Sequence, residues 1–309
     1  MTWTALIFGL LLAVFLGPFL MELRRPKVDA QTREGVPGSF AKLSQGITYF
    51  RWHNDKVRGP VAICIHGLTT PSFVWDGLAD ELDALGYRVL VYDLYGRGLS
   101  DRPAAQQTRA FFLRQLSDLI AHEDIKGDIT LFGYSMGGSI ATCYAAKHPE
   151  MLRRLVLLAP AGMGSARSSL DRFMIGTPLI GDWLFRFVFP VRHRRLAHKL
   201  HQNEGVPADV AAAQAAQVEF RGFVPAVLSS MRRMLSETLE TEHREIAKSG
   251  VPVMGIWATR DTAIPLANMG KLTDWNRQAD QAQINGATHW VPITHAREIA
   301  RVFRGAVHF

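Results

Sequence analysis

The sequence contains few cysteines, no internal repeat and no low-complexity tract. Only Cys64 and Cys143 occur among its 309 residues, and neither belongs to a Cys-x-x-Cys pair, which excludes a redox or zinc motif of that type. Cys64 lies in an apolar run and Cys143 in a predicted helix, so we expect two buried, reduced thiols that pack as small apolar residues. They carry little information about the redox compartment.

The motifs of nucleic-acid-binding proteins are also absent. Lysine and arginine number 35 against 28 aspartates and glutamates, which gives a net charge of +7. A basic balance of this size is compatible with nucleic acid or with an anionic membrane surface. The chain lacks a zinc knuckle, an RNP motif and a lysine-rich arm, so no nucleic-acid partner is predicted. The hydrophobic N-terminus favours the membrane surface instead.

Apolar residues are plentiful enough for a large globular protein. Hydrophobic residues make up 48% of the chain and charged residues 20%, a balance that argues against disorder. The length suits one large α/β domain with an insertion, or two ordinary domains.

Charged side chains are missing from residues 3–21. A helix over this segment would be about 28 Å long at 1.5 Å per residue, close to the roughly 30 Å of a bilayer's hydrocarbon core. Trp3 lies at one end, as interfacial aromatic residues do, and a basic cluster follows the other end. This cluster consists of Arg24, Arg25 and Lys27. The pattern predicts a single-pass membrane anchor over residues 1–22 and a linker over residues 23–44.

Two alternatives to an anchor are less favoured. A cleaved signal peptide would carry a lysine or arginine before the apolar run and an Ala-x-Ala-like site after it, and the sequence has neither. A soluble core helix would be apolar on one face only, whereas this segment is apolar on every face. The positive-inside rule favours the cytoplasm for the domain that follows the basic cluster, although the side of the membrane stays open.

Short β-like runs alternate with helical stretches from residue 45 onward. Several runs are apolar throughout, which indicates a mostly parallel sheet covered by helices on both faces. The predicted strands are 46–53, 61–65, 88–93, 129–132, 155–158, 251–258 and 281–284. Residues 162–248 show a helical pattern without a convincing strand. We therefore predict a helical cap over 162–248, inserted into an α/β core made of 45–161 and 249–309.

A Gly-x-Ser-x-Gly motif, Gly-Tyr-Ser-Met-Gly, occupies residues 133–137. It lies between a predicted strand and a predicted helix, where a sharp turn would force the serine into a strained conformation and expose its hydroxyl. Side chains two positions away must be minimal in such a turn, which accounts for Gly133 and Gly137. Ser135 is therefore the predicted nucleophile. The alternative is a Gly-Ser turn without chemistry.

A serine nucleophile needs a base, and the base needs an acid to orient it. His289 follows the last predicted strand and is the favoured base, whereas His295 falls in the first turn of the C-terminal helix. Asp261 follows the strand before it and is the favoured acid. Asp274 and Asp280 lie in a polar helical stretch, where we expect them to be solvated.

Stabilisation of an oxyanion requires two backbone N–H donors that converge on one oxygen. Met136, the residue after the nucleophile, is one predicted donor. Leu68, in the loop that follows the 61–65 strand, is the other. His66 lies in the same loop, where we expect it to hold the loop through hydrogen bonds rather than to act as a second base.

Aromatic residues in the cap and next to the base are the candidate substrate-binding residues: Trp183, Phe185, Phe187 and Trp290. The cap aromatics could form the cap's own core, an apolar acyl pocket that faces Ser135, or a surface that faces the bilayer. Three cap histidines are crowded by arginine and lysine, which disfavours a bound cation and predicts a solvated basic face. They are His193, His198 and His201. No metal and no organic cofactor is expected.

Together these motifs resemble the α/β-hydrolase superfamily over residues 46–309. The resemblance depends on His66-Gly67, the Asp-Leu-Tyr-Gly-Arg-Gly-Leu-Ser run at 93–100, the Ser135 elbow, and the loops that carry the acid and the base. Residues 93–103 are similar to epoxide hydrolases and haloalkane dehalogenases, but those enzymes carry aspartate at the elbow. The elbow Gly-Tyr-Ser-Met-Gly-Gly is more similar to monoacylglycerol lipases and carboxylesterases. With the predicted anchor, the chain also resembles the superfamily's membrane-bound lipases and phospholipases.

The resemblance implies a serine carboxylic ester hydrolase with an acyl-enzyme intermediate. With a membrane anchor, the expected substrates are lipid esters, namely a monoacylglycerol, a lysophospholipid or a phospholipid, and the expected partner is the bilayer. Three alternatives remain: an amidase or peptidase, a C–C bond hydrolase on the same triad, and a non-catalytic binding protein of the same fold. The oligomeric state stays open, and a homodimer through the anchor or the cap is one arrangement.

Overall fold

A central eight-stranded sheet organises the protein in the computed structural model, which describes residues 2–54, 58–164 and 167–306. The strands are β1 (Ser39–Leu43), β2 (Gly46–His53), β3 (Val61–Ile65), β4 (Arg88–Tyr92), β5 (Ile129–Tyr134), β6 (Leu152–Leu158), β7 (Val253–Ala258) and β8 (Asp280–Ile284). Their order in the sheet is β1-β2-β4-β3-β5-β6-β7-β8. Pairing is antiparallel for β1 with β2 and for β2 with β4, and parallel for all the others. The predicted mostly parallel sheet is confirmed.

The helices of the described residues cover both faces of this sheet, build the cap and form the N-terminal segment. They are α1 (Thr2–Arg24), α2 (Ala30–Arg33), α3 (Asp76–Ala84), α4 (Arg109–His122), α5 (Met136–Lys147), α6 (Ser169–Gly176), α7 (Ile180–Glu204), α8 (Ala208–Ala216), α9 (Phe223–Arg232), α10 (Glu240–Ser249), α11 (Asn268–Trp275), α12 (Val291–Thr294) and α13 (Ala296–Ala306). In β3, Ile63 and Ile65 join the core shared with α4 and α5, whereas Ala62 and Cys64 join the core shared with α3 and α13. Burial on both faces explains why the inner strands are apolar throughout.

The predicted linker over residues 23–44 is wrong in its second half. Residues 39–43 form β1, an edge strand that pairs with β2 from Ser39↔Phe50 to Leu43↔Gly46. Only Ala41 of this strand is buried. The polar composition that suggested a linker is therefore that of a solvated edge strand, which needs few apolar side chains.

The cap lies between β6 and β7 and is helical, with no strand in its described residues (162–164 and 167–248). It has a core of its own, formed around Phe185, Phe223 and Val227. The last helix of the predicted cap belongs elsewhere, because α10 packs against α5 and its Ile246 joins the main core. The cap proper therefore consists of α6 to α9.

The N-terminal helix α1 is apolar and largely exposed. In the part of the chain that the structure describes, Trp3–Arg24 is the one helix whose length and composition suit a membrane span. Its mean hydropathy reaches 2.3, and only 6% of it is buried, unlike the core helix of a soluble protein. This length and composition make α1 a candidate membrane anchor. A signal sequence near an N-terminus has the same composition.

Candidate active site

Ser135 occupies a strained turn between β5 and α5. Its φ of 53° and ψ of −118° lie in a region that residues with a side chain rarely adopt. The turn is held by hydrogen bonds from the Ser135 N–H to the Leu158 carbonyl (3.0 Å) and from the N–H of Ala161 to the Ser135 carbonyl (3.0 Å). The strained strand-to-helix turn predicted from the motif is therefore present.

The two motif glycines are required by close backbone contacts. A Cβ at Gly133 would lie 2.6 Å from the carbonyl oxygen of Gly137, and a Cβ at Gly137 would lie 2.0 Å from that of Ile65. Backbone atoms cannot yield as a flexible side chain can, so neither position tolerates a larger residue. The end of β3 thus packs directly on the start of α5.

A continuous hydrogen-bond relay joins Ser135, His289 and Asp261. The His289 Nε2 lies 3.0 Å from the Ser135 Oγ, and the His289 Nδ1 lies 2.7 Å from the Asp261 Oδ2. The other carboxylate oxygen of Asp261 accepts the N–H groups of Ala263 (2.7 Å) and Ile264 (2.8 Å). A carboxylate facing Nδ1 places the proton there, which leaves Nε2 free to accept the serine proton.

The loops after β7 and β8 carry this acid and base, as expected for the carboxyl edge of parallel strands. The competing residues lie elsewhere. The Nδ1 of His295 contacts the Thr294 hydroxyl at 2.8 Å, and both Asp274 and Asp280 are exposed. None of them joins the relay.

Tyr134, just before the nucleophile, is a site residue that the sequence argument missed. Its hydroxyl donates to the His289 carbonyl at 2.8 Å, and the two ring centroids are 5.1 Å apart. Burial raises the pKa of Tyr134 well above its usual value, so the hydroxyl stays protonated as a donor. The signal was its position next to Ser135 in the elbow.

The two predicted oxyanion donors lie close to Ser135. Met136 is the first residue of α5, so its N–H has no acceptor within the helix. Leu68 follows Gly67, and a Cβ added to Gly67 would lie only 3.3 Å from the Ser135 Cβ. The 66–68 loop therefore passes directly beside the nucleophile.

His66 fixes this loop, as predicted. Its Nδ1 lies 2.8 Å from the Gly67 carbonyl, and its Nε2 accepts the Leu94 N–H at 2.9 Å. A carbonyl can only accept and an amide N–H can only donate, so the ring is neutral with its proton on Nδ1. Complete burial lowers the pKa of His66 to about 3, which keeps the ring neutral.

Arg97 is a second site residue that the sequence argument did not single out. It is fully buried, and its guanidinium donates to the Leu68 carbonyl (3.0 Å), the Gln107 side chain (2.7 Å) and the Ser230 hydroxyl of the cap (2.7 Å). All these partners are neutral oxygens. Burial lowers the pKa of Arg97 to about 9, so the cation persists at neutral pH. One buried cation thus ties the candidate oxyanion loop to the cap.

Comparison with known proteins agrees with this fold. A family model described as the alpha/beta hydrolase fold matches residues 60–296. The chain belongs to this family. It is 24% identical to Lipase 3 of Moraxella sp. (strain TA144) over 279 residues, which cover 90% of this chain and 84% of the lipase. It is also 29% identical to 2-hydroxymuconate semialdehyde hydrolase of Pseudomonas sp. (strain CF600) over 255 residues, which cover 80% of this chain and 86% of that enzyme.

A solved structure extends the similarity in fold to nearly the whole chain of this α/β hydrolase. A membrane phospholipase A superposes with a TM-score of 0.70 at 21% identity and covers 99% of this chain and 97% of its own. At this identity the match shows the fold alone. Together with the family match, the sequence relatives support a hydrolase of the α/β fold.

Of the predicted substrate-binding residues of the hydrolase, Trp290 lies beside the site and Phe185 lies in the cap core. Trp290 is buried against Leu200 and Val206 and meets the His289 ring edge-on, with centroids 6.4 Å apart. Phe185 is buried in the cap core, where Leu68 packs against the same cluster. The cap core therefore extends as far as the candidate oxyanion loop.

The other two predicted substrate-binding residues face α1, which corrects the prediction of an acyl pocket there. The Trp183 indole donates to the Val14 carbonyl of α1 at 3.0 Å. Phe187 stacks on Trp183 and lines a groove between α7 and α1. Of the interpretations considered for the cap aromatics, core packing fits Phe185. Contact with α1, which the structure shows for Trp183 and Phe187, was not among them.

One cap histidine also differs from its prediction. His198 and His201 are exposed, as a solvated basic face requires. His193 is instead buried between the rings of Phe189 and Phe223, and its Nε2 lies 2.8 Å from the Gln214 carbonyl. Its neighbours in sequence are charged, but the helix turns its ring into the cap core.

Proposed function

We propose that the protein is a serine carboxylic ester hydrolase that acts on lipid esters. The observation that carries the proposal is the relay of 3.0 Å and 2.7 Å from Ser135 through His289 to Asp261, built on a strained elbow. An unstrained serine in a surface turn would require neither the glycines nor the buried acid. A binding protein that had lost its activity would have no need to keep all three groups in register.

The geometry supports acyl transfer in two steps. His289 takes the Ser135 proton through Nε2, the Oγ attacks the ester carbonyl, and the N–H groups of Met136 and Leu68 stabilise the oxyanion. Collapse of this intermediate breaks the ester C–O bond, and His289 returns the proton to the departing alcohol. Water then attacks the acyl-enzyme by the same route and releases the acid and the free serine.

Lipid esters are the proposed substrate class because of the elements around the site. α1 is apolar enough to hold the protein on a bilayer as a single-pass anchor, and the cap that it contacts reaches the 66–68 loop through its core. The positive-inside rule favours the cytoplasmic side for the domain. Two sequence relatives are named lipases. A monoacylglycerol, a lysophospholipid or a phospholipid would suit this arrangement.

The first experiment is hydrolysis of p-nitrophenyl esters from acetate to palmitate in detergent by wild type and Ser135→Ala. We expect wild type to act on the series, with an optimum at long chains, and Ser135→Ala to fall to background. Ser139→Ala is a matched control, because Ser139 lies one turn further along α5 and its buried hydroxyl has no hydrogen-bond partner among the described residues. An optimum at acetate would remove the lipid part of the proposal, and an unaffected Ser135→Ala would remove the mechanism.

A second candidate is C–C bond hydrolysis on the same triad. The 29% identity to 2-hydroxymuconate semialdehyde hydrolase favours it over amide hydrolysis. Turnover of 2-hydroxymuconate semialdehyde without turnover of any ester would select this candidate. The apolar α1 helix, for which a soluble substrate has no use, favours the ester.

A further inference from the structure

The α1 helix has a gap in its own hydrogen-bond ladder at the point where the cap touches it. Pro18 lies inside α1 and has no N–H, so the carbonyl of Val14, four residues earlier, has no donor within the helix. The indole N–H of Trp183 in α7 donates to this carbonyl at 3.0 Å. Trp183 therefore supplies the hydrogen bond that the proline removes.

Further contacts hold the C-terminal half of α1 on the cap. The Arg186 guanidinium lies over the Phe19 ring, 4.7 Å from its centroid. The buried carboxylate of Glu22 pairs with Arg25 and accepts the Gly222 N–H, just before α9, at 2.6 Å. The cap thus contacts α1 from its middle to its end, whereas residues 3–13 of the first half are exposed.

The sequences of α1 and α7 change from apolar to basic at the same level along the two helices. Because Trp183 meets Val14 and Arg186 meets Phe19, the two helices run parallel. Further along, a groove of about 420 Å³ lies between them, lined by Met21, Arg24, Arg25, Pro190, Val191 and Arg194. At this height both helices turn from apolar to basic sequence, as elements that cross one membrane interface do. Asp171 at the start of α6 pairs with Arg192 and so lies at the same boundary.

Helix length sets how far the cap reaches into the bilayer when α1 spans it. Residues 3–13, which precede the cap contacts, provide only about 16 Å of helix, half of the roughly 30 Å hydrocarbon core. The segment from Val14 to Arg24, which carries the cap, provides the other 15 Å or so. A spanning α1 therefore requires the contacting part of the cap to lie at membrane depth.

The surface of this part of the cap suits lipid. We define the cap tip as residues 173–183, the end of α6 and the start of α7. Leu179 and Ile180 at its end are 69% and 58% exposed, and Phe173 is exposed beside them. The outer face of α1 stays apolar as far as Leu23. Apolar side chains exposed next to an apolar helix form one continuous surface, which water penalises and acyl chains accept.

The one charged residue of the tip, Asp182, is paired, as charged groups within a bilayer are. Asp182 lies 3.5 Å from Arg186 on the same helix and accepts a hydrogen bond of 2.9 Å from Arg232 in α9. These side chains are directed toward the rest of the cap rather than toward its outer surface. The outer surface of the tip is left to the apolar residues.

From these contacts we propose that the cap tip is embedded in the lipid bilayer alongside α1, joined to it by the Trp183–Val14 hydrogen bond. This inference rests on the proposed membrane anchoring and adds to it a second membrane-inserted element, contributed by the cap. A substrate within the bilayer would then meet the cap without leaving the lipid phase.

Depth-dependent fluorescence quenching of the full chain in phosphatidylcholine vesicles tests the proposal. An environment-sensitive fluorophore is attached to Leu179→Cys, to Leu10→Cys in α1, or to Arg297→Cys on the exposed face of α13. The two native cysteines are buried and remain unlabelled. Quenching by lipids brominated in their acyl chains is compared with quenching by aqueous iodide. Phe173→Cys reports on the tip independently if the substitution at 179 perturbs the turn.

We expect brominated lipid to quench the labels at positions 10 and 179 to a similar extent. The label at position 297 should be quenched by iodide alone. If position 10 is quenched by lipid while 179 and 173 respond to iodide, the embedded tip is overturned and the anchor stands. If none of the positions responds to brominated lipid, the membrane anchoring fails and the inference fails with it. Hydrolysis of a soluble ester in the same samples reports separately on the catalytic proposal.

Discussion

The carboxyl edge of the sheet and the tip of the cap differ in how their side chains are held. At the sheet edge, side chains are held by neutral backbone groups and glycines, and the relay atoms are fixed within 3.0 Å of one another. At the cap tip, apolar side chains lie in the open and the contacts run to a helix that is itself exposed. Preorganisation for chemistry thus requires a rigid interior, whereas the tip becomes a buried structure only when lipid surrounds it.

The largest effect expected from this contrast is on catalysis at the rigid edge. Asp261→Asn keeps an oxygen for the N–H groups of Ala263 and Ile264 but turns an amide toward the His289 Nδ1. The amide favours the tautomer with its proton on Nε2, which cannot accept the serine proton, so we expect kcat/KM to fall by about 10⁴-fold. Assays with p-nitrophenyl butyrate measure it. Ile180→Asp in the cap tip is the matched control and should leave turnover of this soluble ester within a few-fold of wild type.

The second-largest expected effect is on the free energy of unfolding, when one glycine in each region is replaced by alanine. Gly137→Ala places a Cβ 2.0 Å from the Ile65 carbonyl, so we expect a loss of about 3 kcal/mol or more. Gly176→Ala, at the end of α6 in the cap, places its Cβ in open space and should be nearly neutral. Chemical denaturation of both variants in detergent gives the two free energies of unfolding. Equal losses would remove the distinction between the regions.

Acid should destabilise the sheet layers more than the cap surface. Burial lowers the pKa of His243 in α10 to about 4, and both ring nitrogens lack a hydrogen-bond partner in the described residues. Because the unfolded chain binds the proton near pH 6.5 and the folded chain does not, stability falls as the pH drops from about 6.5 toward 4, by about 1.4 kcal/mol per pH unit. His243→Phe should flatten this slope in pH-dependent unfolding, whereas His198→Phe on the exposed cap face should not. His66 adds to the wild-type slope in the same direction.

The smallest effect concerns the hydrogen bond between α1 and the cap. Trp183→Phe removes the indole N–H but keeps a ring for stacking on Phe187, so we expect a loss of about 0.6 to 1 kcal/mol. Pro18→Ala restores the N–H that the Val14 carbonyl lacks. In that background Trp183→Phe should therefore cost less, and thermal unfolding of all four proteins in micelles gives the coupling energy. Additive losses would show that Trp183 contributes packing alone.

The sequence was most informative where chemistry constrains several residues at once. The elbow requires glycines around Ser135, and the acid and base must follow consecutive strands, so a short stretch of sequence defines each position. Arg97 gave no such signal, and Tyr134 gave only its position beside Ser135. Their contacts with Leu68, Ser230 and His289 join residues 29 to 155 positions apart in the chain. Strand β1 was missed because an edge strand needs little apolar content.

The cap shows a different limit of sequence reasoning. The aromatic run from Trp183 to Phe187 predicts an apolar surface, but the direction of each side chain depends on which helix lies next to α7. Phe185 turns inward, while Trp183 and Phe187 turn toward α1. Since α1 lies far away in the chain, no local pattern indicates that contact. His193 illustrates the same point on the next turns of the helix.

The hydrogen bond between Trp183 and Val14 also has a consequence for the order of events during synthesis. Its two residues are separated by 169 positions. At about 5 to 20 residues per second, roughly 10 to 30 s pass between the emergence of α1 from the ribosome and that of its partner. During this interval α1 lacks its contacts with the cap, including the indole N–H that donates to the Val14 carbonyl. The synthesis of α7 therefore closes a loop of 169 residues, and a nascent protein stalled before residue 183 would present α1 without the hydrogen bond that the folded protein gives it.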